Sequence, residues 1–192
     1  MEAFLISTLV VGVAEIGDKT QLLALLLAAR FQKPIPIILG ILTATLLNHA
    51  AAGWLGTWLG SLLQGNWLRW GLGISFLAVA IWTLIPDKMD EDEGKPDHRF
   101  GAFITTLISF FLVEIGDKTQ VATIALAARF DALVPVVAGT TLGMMLANVP
   151  AVFIGNAVAH RLPLKAIRMV AAGIFAVLGI AVLLGVEFKL PF

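Results

Sequence analysis

Long apolar stretches separated by short polar breaks fill the chain. A membrane-spanning helix needs about 20 mostly apolar residues, and such stretches lie near 3–29, 35–63, 67–85, 102–128, 134–159 and 168–186. The pattern predicts an all-α polytopic membrane protein with six transmembrane helices. The second and fifth stretches are long and carry Asn48-His49 and Asn148-Val149-Pro150 near their middles, which predicts tilt or a proline kink there. Between the third and fourth, the run from Pro86 to Arg99 is too polar for lipid. It divides the chain into a three-helix repeat over 1–86, an acidic linker over 87–99 and a second three-helix repeat over 100–192.

The few polar positions inside the apolar stretches are not scattered. Glu15-Ile16-Gly17-Asp18-Lys19-Thr20-Gln21 returns, at an offset of 99 residues, as Glu114-Ile115-Gly116-Asp117-Lys118-Thr119-Gln120. The match extends outward: Leu27 to Phe31 recurs as Leu126 to Phe130, Pro36 as Pro135, Gly40 as Gly139, Gly56 as Gly155, Arg69 as Arg168 and Phe76 as Phe175. Shared apolar composition does not produce an identical polar heptapeptide, so the halves are duplicates. With three helices per half, the second half enters the membrane from the opposite side, which predicts inverted repeats about an axis in the membrane plane.

Composition fits this picture and removes other classes. The chain of 192 residues is 59% hydrophobic and 14% charged, its mean hydropathy is +0.94, and soluble domains carry about a quarter charged residues. Lys plus Arg and Asp plus Glu both total 13, so there is no basic excess of the kind a nucleic-acid partner requires. The absence of cysteine removes disulfides, thiolate ligands and thiol nucleophiles. Met1-Glu2-Ala3-Phe4 lacks a basic stretch and a small-residue cleavage site, and is expected to open the first spanning helix rather than a cleaved signal. Arg30, Lys33, Lys88, Lys95, Arg99, Arg161, Lys165 and Arg168 fall on the side of the linker, against Arg69, Arg129 and Lys189 on the other. That bias predicts a cytoplasmic linker, with both termini outside.

Glu15, Asp18, Glu114 and Asp117 fall near the middles of the first and fourth stretches, at about the bilayer midplane. Ionisable groups there cost roughly 2.5–3.5 kcal/mol each on insertion scales, so they mark an ion or proton pathway. On unbroken helices Glu15, Asp18 and Gln21 form an i, i+3, i+6 row, and Glu114, Asp117 and Gln120 its twin. Gly17 and Gly116 leave a second arrangement open, in which unwound helices turn Thr20, Thr119 or backbone carbonyls toward the site. Lys19 and Lys118 either compensate a neighbouring carboxylate or take part in proton transfer. With four carboxylates and two ammonium groups the cluster carries two negative units, which one divalent cation or two protons would balance. All-oxygen ligands suit magnesium, calcium or manganese rather than copper or zinc.

A duplicated E-x-G-D-K-T on the first helix of each three-helix half, with an acidic central loop, resembles the transmembrane-protein-165 / Gdt-one family, and the resemblance covers the whole chain. It implies a secondary transporter that exchanges manganese or calcium for protons, with bacterial relatives exporting manganese. The family's motif falls on Glu15, Gly17, Asp18, Lys19 and Thr20 and on Glu114, Gly116, Asp117, Lys118 and Thr119, without substitution. Such a protein is expected in the bacterial inner membrane, holds no permanent cofactor and is not an enzyme.

Other features are weaker signals. Asn48 and Asn148 lie at the depth of the carboxylates and are candidates either to offer amide oxygens to the ion or to form interhelical hydrogen bonds. His49 is either a proton relay or a packed core histidine. The linker acids Asp87, Asp90, Glu91, Asp92, Glu93 and Asp97 either gather cations or are simply solvated. Trp54, Trp58, Trp67 and Trp70 read as an interfacial aromatic belt. A passive cation channel uses the same carboxylates. An intramembrane aspartyl hydrolase accounts for paired acids but not for the repeated lysines.

Overall fold

The computed structural model describes residues 1–63, 65–86, 101–154 and 164–186. The acidic linker 87–99, the end of the fifth apolar stretch, Gly155, Arg161 and Lys189 lie outside them. The described residues form eight helices and no strand: α1 (Glu2–Glu15), α2 (Lys19–Phe31), α3 (Pro34–Leu62), α4 (Asn66–Thr83), α5 (Ala102–Glu114), α6 (Lys118–Phe130), α7 (Leu133–Ile154) and α8 (Leu164–Leu183). The all-α expectation holds. The stretches 3–29 and 102–128, expected as helices, are each interrupted inside the repeated heptapeptide, at 16–18 and 115–117.

Three described helices, over Pro34–Leu62, Leu133–Phe153 and Leu164–Leu183, are long and apolar enough to cross a membrane, and α5 is a shorter apolar helix. At 1.5 Å per residue, α1, α2, α5 and α6 each reach only about 20 Å, short of a hydrocarbon core of about 30 Å. The tight joins between elements are written in the sequence. Gln32 follows α2 in the left-handed conformation (φ 51°) and its N–H bonds the carbonyl of Ala28 at 3.0 Å, while Pro34 opens α3, where its missing N–H costs nothing. α3 runs unbroken past Asn48-His49, and α7 continues through Pro150.

The halves pack on each other rather than separately. α1 lies along α7 and α5 along α3, so the first helix of each half meets the long helix of the other; α4 lies along α8. Repeated glycines allow this closeness. A Cβ on Gly40 would stand 2.7 Å from Thr106 Cβ and 2.9 Å from the Phe103 carbonyl oxygen, and one on Gly139 would stand 3.0 Å from Ser7 Cβ and meet the Phe4 carbonyl. Ser7 and Phe4 are the repeat counterparts of Thr106 and Phe103, so both crossings use one device. Phe76, Phe110 and Phe175 are fully buried, whereas Leu46, Leu47, Ile81, Phe153, Val177 and Ile180 are exposed. Such an apolar exterior suits hydrocarbon rather than water.

Candidate cation site

The repeated heptapeptide folds as a turn followed by a helix start. Ile16 (φ −66°, ψ 115°) and Gly17 (φ 80°) are the central residues of a turn closed by the Asp18 N–H on the Glu15 carbonyl at 3.1 Å. Ile115 (φ −64°, ψ 122°), Gly116 (φ 77°) and the Asp117 N–H on the Glu114 carbonyl at 3.2 Å repeat it. This is the type II pattern, whose second central residue needs a positive φ and therefore glycine. Gln21 then reaches back, its Oε1 accepting the Gly17 N–H at 2.9 Å, and Gln120 accepts the Gly116 N–H at 2.8 Å. Each glutamine is the third residue of its helix, so the bond is a capping box displaced by one residue. Every polar backbone group satisfied in this way needs no partner from outside the turn.

The turn gives the acids unlike electrostatic positions. Glu15 and Glu114 end α1 and α5, where the helix dipole opposes negative charge, whereas Asp18 and Asp117 precede α2 and α6, where it favours it. All four are buried. Thr20 Oγ1 donates to Glu15 Oε2 at 2.7 Å, and Thr119 Oγ1 donates to Glu114 Oε1 and, at 3.3 Å, to Asp117 Oδ2. The remaining oxygens, Glu15 Oε1 and Glu114 Oε2, are buried without a hydrogen-bond partner among the described residues. Glu15, Glu114 and Asp117 each offer an oxygen within 4.8 Å of the others. Two metal–oxygen bonds of 2.3–2.6 Å span about 5 Å, so one cation can reach all three.

The lysines cross between the halves. Lys118 Nζ donates to Asp18 Oδ1 at 2.7 Å, and Lys19 Nζ lies 3.8 Å from Asp117 Oδ1. The first pair is the tighter and more buried, with lysine side-chain exposures of 3% for Lys118 and 16% for Lys19. Although Asp18 stands at the N-cap of α2, its side chain makes no cap bond there. A cap bond is typically worth about 1 kcal/mol, and the carboxylate is engaged with Lys118 instead.

Of the expected site residues, the eight acids, lysines and threonines share this core, and Gly17 and Gly116 form its turns. The i, i+3, i+6 rows do not exist, because the turns end the helices. Gln21 and Gln120 brace the turns, and Gln21 Nε2 also donates to the Ala147 carbonyl on α7 at 3.0 Å. Asn48 Nδ2 donates to the Phe111 carbonyl on α5 at 3.1 Å, an interhelical bond. Asn148 Nδ2 bonds Met144 of its own helix, leaving Oδ1 buried and unpartnered. His49 is buried with no hydrogen bond at either ring nitrogen among the described residues. The E-I-G-D turn and the D-x-x-Q capping pattern were signals available in the sequence for the break; the crossed lysines had no such signal.

Replacing either turn glycine by alanine places a side chain at positive φ, a strain of roughly 1–2 kcal/mol. Among the described residues a Cβ on Gly116 meets nothing within 4 Å, whereas one on Gly17 collides with the Leu164 side chain. Thermal unfolding of purified variants should therefore show Gly17→Ala losing more stability than Gly116→Ala; the reverse order would contradict the Leu164 contact, and no loss in either variant would remove the turn assignment.

The profile of the family "Divalent cation/proton antiporter GDT1" matches residues 3–91 and 102–189. A protein of Vibrio cholerae named "Putative manganese exporter" is 53% identical over 182 residues, covering 94% of this chain and 90% of the relative. A GDT1-like protein of Synechocystis is 29% identical over 195 residues (91% and 93%), and GDT1-like protein 5 of Arabidopsis thaliana 26% identical over 223 residues (96% and 96%). No solved structure matches the chain.

Proposed function

The chain belongs to the divalent cation/proton antiporter family GDT1, and from that premise we propose that it exchanges manganese or calcium for protons through one midplane site shared by its two halves. It is a cation transporter rather than an enzyme, and its apolar helices make it an integral membrane protein. The observation that carries the proposal is the meeting of Glu15, Glu114 and Asp117 within 4.8 Å, drawn from both repeats, with one unpartnered oxygen on each glutamate.

Charge supplies the exchange. Four carboxylates and two lysines leave two negative units, so one divalent ion and two protons are interchangeable loads. The glutamates stand where the helix dipole opposes their charge, so they gain most from either load. The lysines, paired across the halves, hold the aspartates and do not enter as proton carriers. Asn148 Oδ1 is a further oxygen for the ion's path, while Asn48 serves as a helix tie.

The proposed architecture has six crossings, α1–α2, α3, α4, α5–α6, α7 and α8, arranged as inverted repeats. Each pair of half-length helices counts as one crossing broken at the site, as in transporters with discontinuous helices. The reciprocal packing of α1 on α7 and α5 on α3 supports this. With the linker cytoplasmic and both termini outside, a bacterial inner membrane is the setting, and the name of the Vibrio relative favours manganese leaving the cytoplasm. The test is manganese flux in proteoliposomes under an imposed pH gradient. Flux should follow the gradient and move protons the other way, and flux indifferent to it would make the protein a channel.

A further inference from the structure

Two arginines that recur between the halves, Arg69 as Arg168 and Arg129 as Arg30, lie outside the cation motif. Arg69, in the first turn of α4, and Arg129, in the last turn of α6, line one cavity of about 190 Å³ walled by Leu68, Leu72, Val182 and Val186. Among the described residues no acidic side chain lines it. Arg129 donates a long 3.4 Å hydrogen bond from Nη2 to the Val186 carbonyl and stands 5.9 Å from the Phe130 ring centroid. Arg69 Nε is buried and has no hydrogen-bond partner among the described residues.

Helix stabilisation accounts for only one of these cations. Arg129, at a helix C-terminus, complements the dipole; Arg69, at a helix N-terminus, opposes it. An anion at that end satisfies both, because it offsets part of the charge of the pair and gains from the α4 N-terminus. Two planar guanidinium forks match the oxygens of a phosphate. Trp67 and Trp70 flank Arg69 and are 81% and 52% exposed, the placement of aromatic residues at headgroup depth.

We propose that this pocket binds the phosphate group of a membrane phospholipid, at the end of the bundle formed by the α3–α4 connection and the C-termini of α6 and α8. The site is separate from the cation motif and does not depend on the transport mechanism. Dioleoylphosphatidylglycerol added to the detergent-purified protein should raise its unfolding temperature by about 5 °C at saturation, and native mass spectrometry should retain one lipid per chain. Arg69→Gln and Arg129→Gln should each reduce the shift to about 1 °C and remove that adduct, whereas Lys33→Gln and Lys165→Gln, equal charge losses at exposed positions, should keep both. Should the glutamine variants fail to fold, Arg69→Lys, which keeps the charge but loses the fork, should weaken the shift by at least half. An equal shift from inorganic phosphate alone would overturn the lipid assignment. Undiminished lipid binding in the arginine variants would overturn the site.

Discussion

Asp117→Asn is expected to abolish manganese transport and to weaken manganese binding by more than about 100-fold, the upper end of the loss seen when only an outer-shell partner is removed. It turns one of the three carboxylates that can meet a single ion into a carboxamide, which keeps the shape and one weaker ligand oxygen but loses the charge that offsets dehydration. Asp18→Asn is expected to abolish transport for a different reason. Asp18 is held by Lys118 at 2.7 Å, so its neutralisation leaves a buried ammonium group facing the cation. At an effective dielectric of 20, a unit charge 4 Å from another is worth about 4 kcal/mol, close to three decades in affinity. The distinction shows in the double variants. Asp18→Asn with Lys118→Gln restores the two negative units and should recover binding to within about tenfold of the parent. Asp117→Asn with Lys19→Gln restores the same net charge but leaves a neutral amide where a carboxylate meets the ion, and should stay defective. Calorimetric titration with manganese separates the two, and parallel recovery of both would show that charge, not ligation, governs the site.

Lys118→Met is expected to destabilise the protein far more than Lys19→Met. Removing one member of a buried ion pair strands the other and typically costs about 3–5 kcal/mol, which for a chain of this size lowers the unfolding temperature by about 10 °C. Lys19 is more exposed and lies 3.8 Å from its partner, beyond hydrogen-bond reach, so less is lost with it. Melting curves for the two purified variants decide the matter, and equal losses would contradict the ranking of the pairs.

Much of this site was legible in the sequence, because membrane burial makes polar residues conspicuous. Glu15, Asp18, Glu114 and Asp117 stand out against apolar neighbours, and the 99-residue offset pairs them before any geometry is known. The all-helical fold follows from the same contrast, since backbone in lipid must satisfy its own hydrogen bonds. Periodicity alone leaves the break at each motif open, because it treats glycine as a weak helix residue, while turn chemistry treats Gly17 and Gly116 as the position that permits a type II turn. Thr20 changed meaning with that break: nearly opposite Asp18 on an unbroken helix, it instead caps Glu15 at 2.7 Å. The crossing of Lys118 to Asp18 was illegible for another reason. It joins residues 100 positions apart, and a helical wheel shows only neighbours within one helix.

The unequal pairs, 2.7 Å for Lys118–Asp18 and 3.8 Å for Lys19–Asp117, carry a consequence for duplication itself. Two identical subunits related by a strict twofold axis would give both pairs the same length, and every substitution would be felt twice. Fusing the halves into one chain lifts that constraint. His49 now stands where the other half has Asn148, and Asn48 where it has Ala147, so each copy of the heptapeptide sits in its own surroundings. The first copy can commit its Asp18 to the other's lysine while the second holds its Asp117 more loosely, near the ion, a division of labour that a strictly symmetric homodimer could not encode.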